Sequence, residues 1–446
     1  MKRIALFAGV ALALVPLAAV HSQTAAPITG ADVLAAEKAL AGPEMRGRGS
    51  GTADEARAAQ WVADRFVKAG LKPAPGMDGY LQIAPLGRST VTGDPVLMVG
   101  GAKITGVGVL MTDGGRVGGT AAVLRNPGDA APADADVLVY TGPADKLGQV
   151  RRAARGKVKL ILTGESDMTR RYLSAIGGRP QIRTTLAGGS RTPSVALATL
   201  PAQALAAIHA GDMVTLDVPF TAEKGTTTNA IAYLPGTDPK AGIILLSAHL
   251  DHLGVKPDGT IMPGANDDAS GTVAVIELAR TFAAMGPAKR GILFVAYGSE
   301  EIGGLGSTWF GMHPPVPLTS IVANIEFEMI GAQDPKLPKG ALMMTGAERS
   351  TLFGMMQSQG ALVARDPYPD ENFFQRSDNY SLALQGIVAH TLSGWAVVPT
   401  YHDASDTVEN LDIGYMTAAI NSLVKPIRLL ADGDFTPRWT ANGRPH

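Results

Sequence analysis

The hydrophobic pattern of the chain changes character several times. Residues 28–40 carry a helical period. Thr52 then opens a second helix with Glu55 three residues on, the capping-box spacing, and Ala58, Trp61, Val62 and Phe66 recur on one face. Gly70 and Pro73 stop it. Residues 46–52, between the two helices, read as a flexible glycine-rich loop. From about 88 to 220 the chain is rich in Gly, Thr and Val. Strands are predicted there over 104–111, 137–140, 158–163 and 213–218, with a helix over 200–210. From 229 onward, a continuous apolar strand at 243–247 and further largely apolar strands at 292–296, 320–325 and 387–391 alternate with helical stretches at 270–284, 349–359 and 413–431. Strands apolar at every position need cover on both faces. The expected fold is therefore α/β, a three-layer α/β/α sandwich around a mixed, mostly parallel sheet, with an inserted β-rich module.

These patterns divide the 446 residues into a signal segment at 1–22 and a discontinuous main domain at 28–88 and 221–432. An insert occupies 89–220, and the polar tail 433–446 is expected to be disordered. Lys2 and Arg3 precede an apolar run at 4–20, with cleavage expected near Ser22. The run is barely long enough to span a bilayer. The expected location is periplasmic or secreted, without stable membrane association after cleavage.

Charge and cysteine content narrow the chemistry. A formal net charge of −1 provides no global field for a nucleic acid. No signal bears on oligomeric state. The absence of cysteine excludes disulfides, a thiol nucleophile and thiolate metal ligands. Any metal must be held by histidine and carboxylate.

Such groups gather at the ends of the apolar strands. His249 and Asp251 follow the first, Glu300 and Glu301 the second, Glu326 and Glu328 close the third, and His402 with Asp406 follows the last. In open α/β sheets ligands bind beyond the carboxyl ends of the strands. His249 and Asp251 project to one side of an extended chain, where the carboxylate can orient the imidazole. Asp267 and Asp268 precede a helix, and either can cap it. Asp267, one residue further out, is free to present both oxygens to metal. The acid pair Glu300-Glu301 before two glycines is costly to bury without cations. With metal, one acid binds and its neighbour takes a proton from water. His252 reads as structural or supporting, and His313 as an exposed loop residue. No Gly-x-Ser-x-Gly elbow supports a serine hydrolase.

The ordered set His249-Leu250-Asp251, Asn266-Asp267-Asp268-Ala269-Ser270-Gly271, Glu300-Glu301 and Tyr401-His402 with Asp406-Thr407 closely resembles the co-catalytic dizinc aminopeptidases. That group also contains glutamate carboxypeptidase, glutaminyl cyclase and the transferrin receptor. The resemblance covers 45–72 and 229–431, and the intervening segment more weakly resembles the protease-associated domain. It implies two zinc ions, bridged by Asp267, one completed by His249 and Glu328 and the other by Glu301 and His402. It further implies Glu300 as general base, Tyr401 as polariser of the scissile carbonyl and Asp251 as an orienting residue. The substrate would be a peptide with a free N-terminus, cut at its first bond by zinc-activated water. One departure stands out: the family pattern places Asp before Met-Ile-Gly, and here Glu328 precedes Met329-Ile330-Gly331, with Glu326 as its rival. Ser377-Asp378 resembles a recurrent motif near the cleft. A carboxypeptidase or dipeptidase on the same scaffold, with Arg376 receiving a substrate carboxylate, is the alternative. A single-zinc cyclase and a non-catalytic binding protein rank below it.

Overall fold

A computed structural model describes residues 26–127, 135–154, 156–175, 180, 182–187, 194–433 and 435–445. The expected signal segment lies outside them. The main domain is a nine-stranded mixed sheet. Its central strands Gly291–Tyr297, Ile243–His249, Ile321–Glu328 and Ala389–Ser393 are parallel. In the sheet they stand in the order Ala389–Ser393, Ile321–Glu328, Ile243–His249, Gly291–Tyr297. One flank adds Leu342–Met344 and Val363–Arg365; the other adds Phe220–Leu234, Leu81–Val91 and the short Thr185–Leu186. Ile243–His249 and Gly291–Tyr297 are buried along their whole length. Their alternate residues feed opposite faces. Ile244, Leu246, Ile292 and Phe294 enter the core that holds the helices Ala53–Lys68, Ser270–Met285 and Ile413–Asp432, and Leu245, Leu293 and Val295 enter the other. This two-sided cover is the α/β sandwich expected from the unbroken apolar runs.

The long strands Leu81–Val91 and Phe220–Leu234 pair over their full shared length, out to Val91 opposite Phe220. Beyond that point an eight-stranded sheet begins at Val96 and ends at Val218, with its own cores on both faces. Thr185–Leu186 leaves this module and pairs back onto Leu86 and Gly87. The run predicted over 104–111 is two strands, Ala102–Ile104 and Gly108–Met111, separated by a turn at Gly106. The helix predicted over 200–210 shrinks to Ala202–Ala206. No helix among the described residues is long and apolar enough to cross a membrane.

Two local expectations are corrected. The tail is not loose over its described part: Trp439 Nε1 donates to Gly386 O at 3.0 Å, its ring meets Phe374 and His390, and Arg438 N donates to Thr351 Oγ1 at 3.0 Å. One tryptophan with a bonded N–H anchors a segment whose average polarity hides it. The glycine-rich stretch before the second helix is also ordered. Pro43–Arg48 forms a 3-10 turn that buries Arg48 completely. Thr52 caps the helix through Asp54 N as expected, but Glu55 reaches Gly51 N at 2.8 Å, one residue beyond the capping-box partner.

Candidate metal centre

The carboxyl edge of the parallel strands gathers the predicted groups. His249 ends one strand and Glu328 its neighbour, Glu300 and Glu301 follow Tyr297, and His402 lies in the loop after Ser393. Asp267 sits in the loop entering the helix Ser270–Met285. That loop turns at Gly264 with φ 59°, where a Cβ would lie 2.4 Å from His252 Cγ, so only glycine lets the chain pass the ring. The Asp267–Asp268 peptide is cis.

Asp267 is the hinge of the geometry. Its Oδ1 lies 3.3 Å from His249 Nε2, and its Oδ2 lies 3.3 Å from His402 Nε2. Glu301 repeats the motif, with Oε2 3.0 Å from His402 Nε2 and Oε1 2.7 Å from His252 Nδ1. Yet His249 Nε2, His402 Nε2, both ring nitrogens of His252 and Glu301 Oε1 are buried and complete no hydrogen bond. Buried polar atoms are ordinarily satisfied. His249 Nε2, His402 Nε2 and His252 Nδ1 instead lie 2.7 to 3.3 Å from the carboxylates of Asp267 and Glu301, a gathering of donors that suits ligands around cations. Glu328, Glu300 and Tyr401 line the same cavity of about 250 Å³. Glu326 does not line it; that side chain is fully buried and accepts from Ser377 Oγ at 3.0 Å. Of the two rivals, Glu328 is the one in reach.

The electrostatics match that arrangement. Burial pushes Asp267 up, but the imidazoles of His249, His402 and His252 outweigh it and hold the carboxyl well below the usual range. Burial pushes Glu300 well up; Asp378, Glu328 and Glu301 add to this and His249 partly offsets it. Burial also raises Glu328 and, more strongly, Asp268 and Glu326. Burial lowers the affinity of His402 for its proton, but Asp267 and Glu301 overcome it and carry the ring up to about 10. So many buried acids on one edge are costly unless positive charge joins them.

A frame of hydrogen bonds holds the edge. Asp251 is fully buried and accepts from Glu300 N at 2.9 Å, Glu301 N at 3.3 Å and Ser50 Oγ at 2.5 Å. Its carboxylate lies 3.7 Å from His249 Nδ1, beyond hydrogen-bond length; that nitrogen is nearer the Asp251 carbonyl, at 3.3 Å. Asp251 therefore fixes the acid pair more directly than the histidine. Asp268 accepts from Gly271 N in the first helical turn, and also from His249 N and Met329 N, so it both caps and braces. Asp406 accepts from Asn266 N at 2.8 Å and Asp267 N at 3.0 Å. Asp378 is buried with neither oxygen bonded, and burial carries it up to about 7.

Two residues escape the sequence reading. His252, read as structural or supporting, offers a ligand atom within 4.8 Å of those of Asp267 and Glu301, so this trio by itself is close enough to hold a cation. Its place directly after Asp251, in the same strand-end loop, is the available signal. Arg48 donates to the carbonyls of Leu250, Leu40, Pro263 and Gly264 at 2.7 to 2.8 Å. One guanidinium thus ties together the loops that carry His249 and Asp267, and no local pattern announces it. His313 is exposed, as expected, and stacks on Trp309.

Residues 229–425, which hold all five candidate ligands, match peptidase family M28. Leucine aminopeptidase 2 of Arthroderma otae is 27% identical over 334 residues, covering 63% of this chain and 66% of that protein. Aminopeptidase YwaD of Bacillus subtilis is 34% identical over 90 residues, 20% of this chain and 18% of the relative. The chain thus spans less than two thirds of the length of these curated relatives. Among solved structures, an aminopeptidase from Aneurinibacillus sp. strain AM-1 superposes with a TM-score of 0.60 at 18% identity, over 94% of this chain and 96% of the other. A zinc aminopeptidase from Bacillus subtilis superposes with a TM-score of 0.55 at 18% identity, over 92% of this chain and 96% of the other. These two establish the shared fold. The match to peptidase family M28 covers residues 229–425 alone, and the likeness to the solved structures is one of fold.

Proposed function

We propose that this protein is an exported metallo-aminopeptidase that removes N-terminal residues from peptides, with two zinc ions at the centre. The observation that carries the reading is Asp267, whose two oxygens face the Nε2 atoms of two different histidines at equal distance. The residues fit metal, because His249 Nε2, His402 Nε2 and Glu301 Oε1 are buried without hydrogen bonds. His249, Asp267 and Glu328 would hold one ion, and Asp267, Glu301 and His402 the other. When bound, the ions polarise the scissile carbonyl and acidify water.

The chain's own residues supply the proton chemistry. Glu300 lines the cavity without being needed as a ligand, and its burial gives it a raised proton affinity. A carboxylate of that kind suits taking a proton from the attacking water and returning it to the leaving amine. Tyr401 stacks on His402, with ring centroids 3.9 Å apart. Burial and the neighbouring carboxylates hold its phenol protonated, so its O–H can donate to the developing oxyanion. Export rests on Lys2, Arg3 and the apolar run after them; a mature N-terminus near Ser22 would support it.

The test is elemental analysis of the purified protein, with hydrolysis of aminoacyl-nitroanilides before and after chelation. About two zinc ions per chain, with activity lost on chelation and regained with zinc, is the expected result. Arg376 lines the cavity and keeps a carboxypeptidase reading in view, but it pairs with Glu371 at 3.4 Å and lies over Phe373. Cleavage of N-blocked but not free peptides would turn the assignment that way. Absence of bound metal would sink the mechanism.

A further inference from the structure

A second, larger cavity of about 1020 Å³ opens between the inserted module and the main domain, and Glu301 lines both it and the metal-centre cavity. Four arginines line this cleft: Arg88 from the strand Leu81–Val91, Arg151 and Arg152 from the last turn of the helix Leu147–Ala154, and Arg183 ahead of the edge strand Thr185–Leu186. Glu301 is its only acidic lining residue among those described. Arg183 overhangs the turn that carries the acid pair, since a Cβ at Gly303 would lie 3.2 Å from its Nη2.

None of the four pairs with a carboxylate among the described residues. Arg88 Nη1 donates to Gly51 O at 2.9 Å, and Arg151 Nη2 lies 3.4 Å from Met111 Sδ. Elsewhere on the same chain, surface arginines do find acids in the adjacent turn: Arg57 pairs with Asp54, Arg170 with Asp167, Arg280 with Glu277 and Arg428 with Asp432. A guanidinium carries five donors, so the cleft presents unused, like-charged donors from three segments in a protein whose net charge is −1. Clefts lined by one sign of charge concentrate the opposite sign, and the arginine fork matches carboxylate geometry.

We infer that this cleft binds carboxylate groups on the leaving side of the substrate peptide, so that the enzyme prefers short acidic peptides. The inference rests on the aminopeptidase reading. An aminopeptidase leaves only one residue on the N-terminal side of the cut bond. The cavity at the metal centre has room for that residue, and the cleft joined to it through Glu301 has room for the residues beyond the cut. The carboxylate can be an acidic side chain or the peptide's own C-terminus; the chemistry is the same.

The experiment compares kcat/KM for leucyl-glutamate, leucyl-glutamine and leucyl-glutamine amide, which carry successively fewer carboxylates. The expected result is a fall of roughly three- to tenfold at each step, the range of a partly exposed charge-assisted contact. A fall at the first step reports the side chain, and one at the second reports the terminus. In Arg152→Glu and Arg183→Glu, both at exposed positions, the ratio of leucyl-glutamate to leucyl-glutamine amide should collapse towards one; turnover of either substrate certifies folding. Raising salt from about 50 to about 500 mM should shrink the wild-type ratio as screening shortens. Equal rates on all three substrates would overturn the inference and leave the aminopeptidase reading standing. A preference that survives both substitutions would also overturn it, by moving carboxylate recognition to another site. No cleavage of any of the three, nor of an aminoacyl-nitroanilide, would remove the reading on which it rests.

Discussion

Strand Val137–Tyr140 of the inserted module and strand Ile243–His249 of the main domain are both buried along their whole length and feed a different core from each face. They end differently. Tyr140 closes its strand with a hydroxyl that donates to Pro143 O at 3.0 Å. His249 closes its strand with its Nε2 unbonded, facing the buried Asp267 and near the half-buried Glu300. The same kind of core thus supports a neutral, satisfied edge in one sheet and a charged, unsatisfied edge in the other. Burial of the strands does not make the site; buried charge left at their ends does.

The sharpest way to break that contrast is to neutralise the charge without changing shape. Glu300→Gln should lower kcat by roughly 10²- to 10⁴-fold, the usual worth of a positioned base, while bound zinc stays constant. Loss of metal in parallel would make Glu300 a ligand. Tyr401→Phe removes one donor and is expected to cost about 10²- to 10³-fold in kcat with little change in KM. An unchanged kcat would leave the phenol as a stacking partner of His402 only.

How much of this is legible in the sequence depends on where the partners lie. The strands 243–249 and 291–297 can be read because nearly every position is apolar, and their ends because His and acid recur there. The ribbon strand Phe220–Leu234 escapes over its first half, where Thr, Glu, Lys and Gly stand largely exposed on both faces and give no alternation. The bracing roles of Arg48 and Asp406 escape for a different reason. Their bonds go to backbone atoms far along the chain, at Leu250 and Gly264 for one and at Asn266 and Asp267 for the other. Local composition around Arg48 signals only flexibility. The choice between Glu326 and Glu328 needs the strand in place, since both point to one side of it and only the last reaches the cavity.

On the other side of the comparison, the insert's core should be separable from the chemistry. Leu162 is fully buried among Val137, Val139 and Leu160. Leu162→Ala should cost about 2–5 kcal/mol of stability through the cavity it leaves, read as a lower unfolding midpoint in denaturant. Zinc content and nitroanilide turnover per folded chain should hold. A proportional loss of zinc would mean that the insert's packing reaches the metal edge, and the contrast between the two sheets would fail.

The smallest expected effect tests the frame instead of the ligands. Asp251 accepts from two consecutive backbone amides, at Glu300 and Glu301, and from Ser50, and it lies too far from His249 Nδ1 to bond it. In Asp251→Asn one oxygen remains, and the new amide group must face a donor. The turn carrying the acid pair should then shift, weakening zinc binding by about 10- to 100-fold, as is typical when a group that orients ligands is lost. Competition with a chelator of known affinity measures this. With zinc saturating, kcat should fall far less than in Glu300→Gln, because the base itself is intact. If affinity holds while kcat collapses, Asp251 acts on the proton path. If neither moves, the amides of Glu300 and Glu301 do not need the carboxylate, and Ser50 and the Arg48 ties suffice to hold the edge.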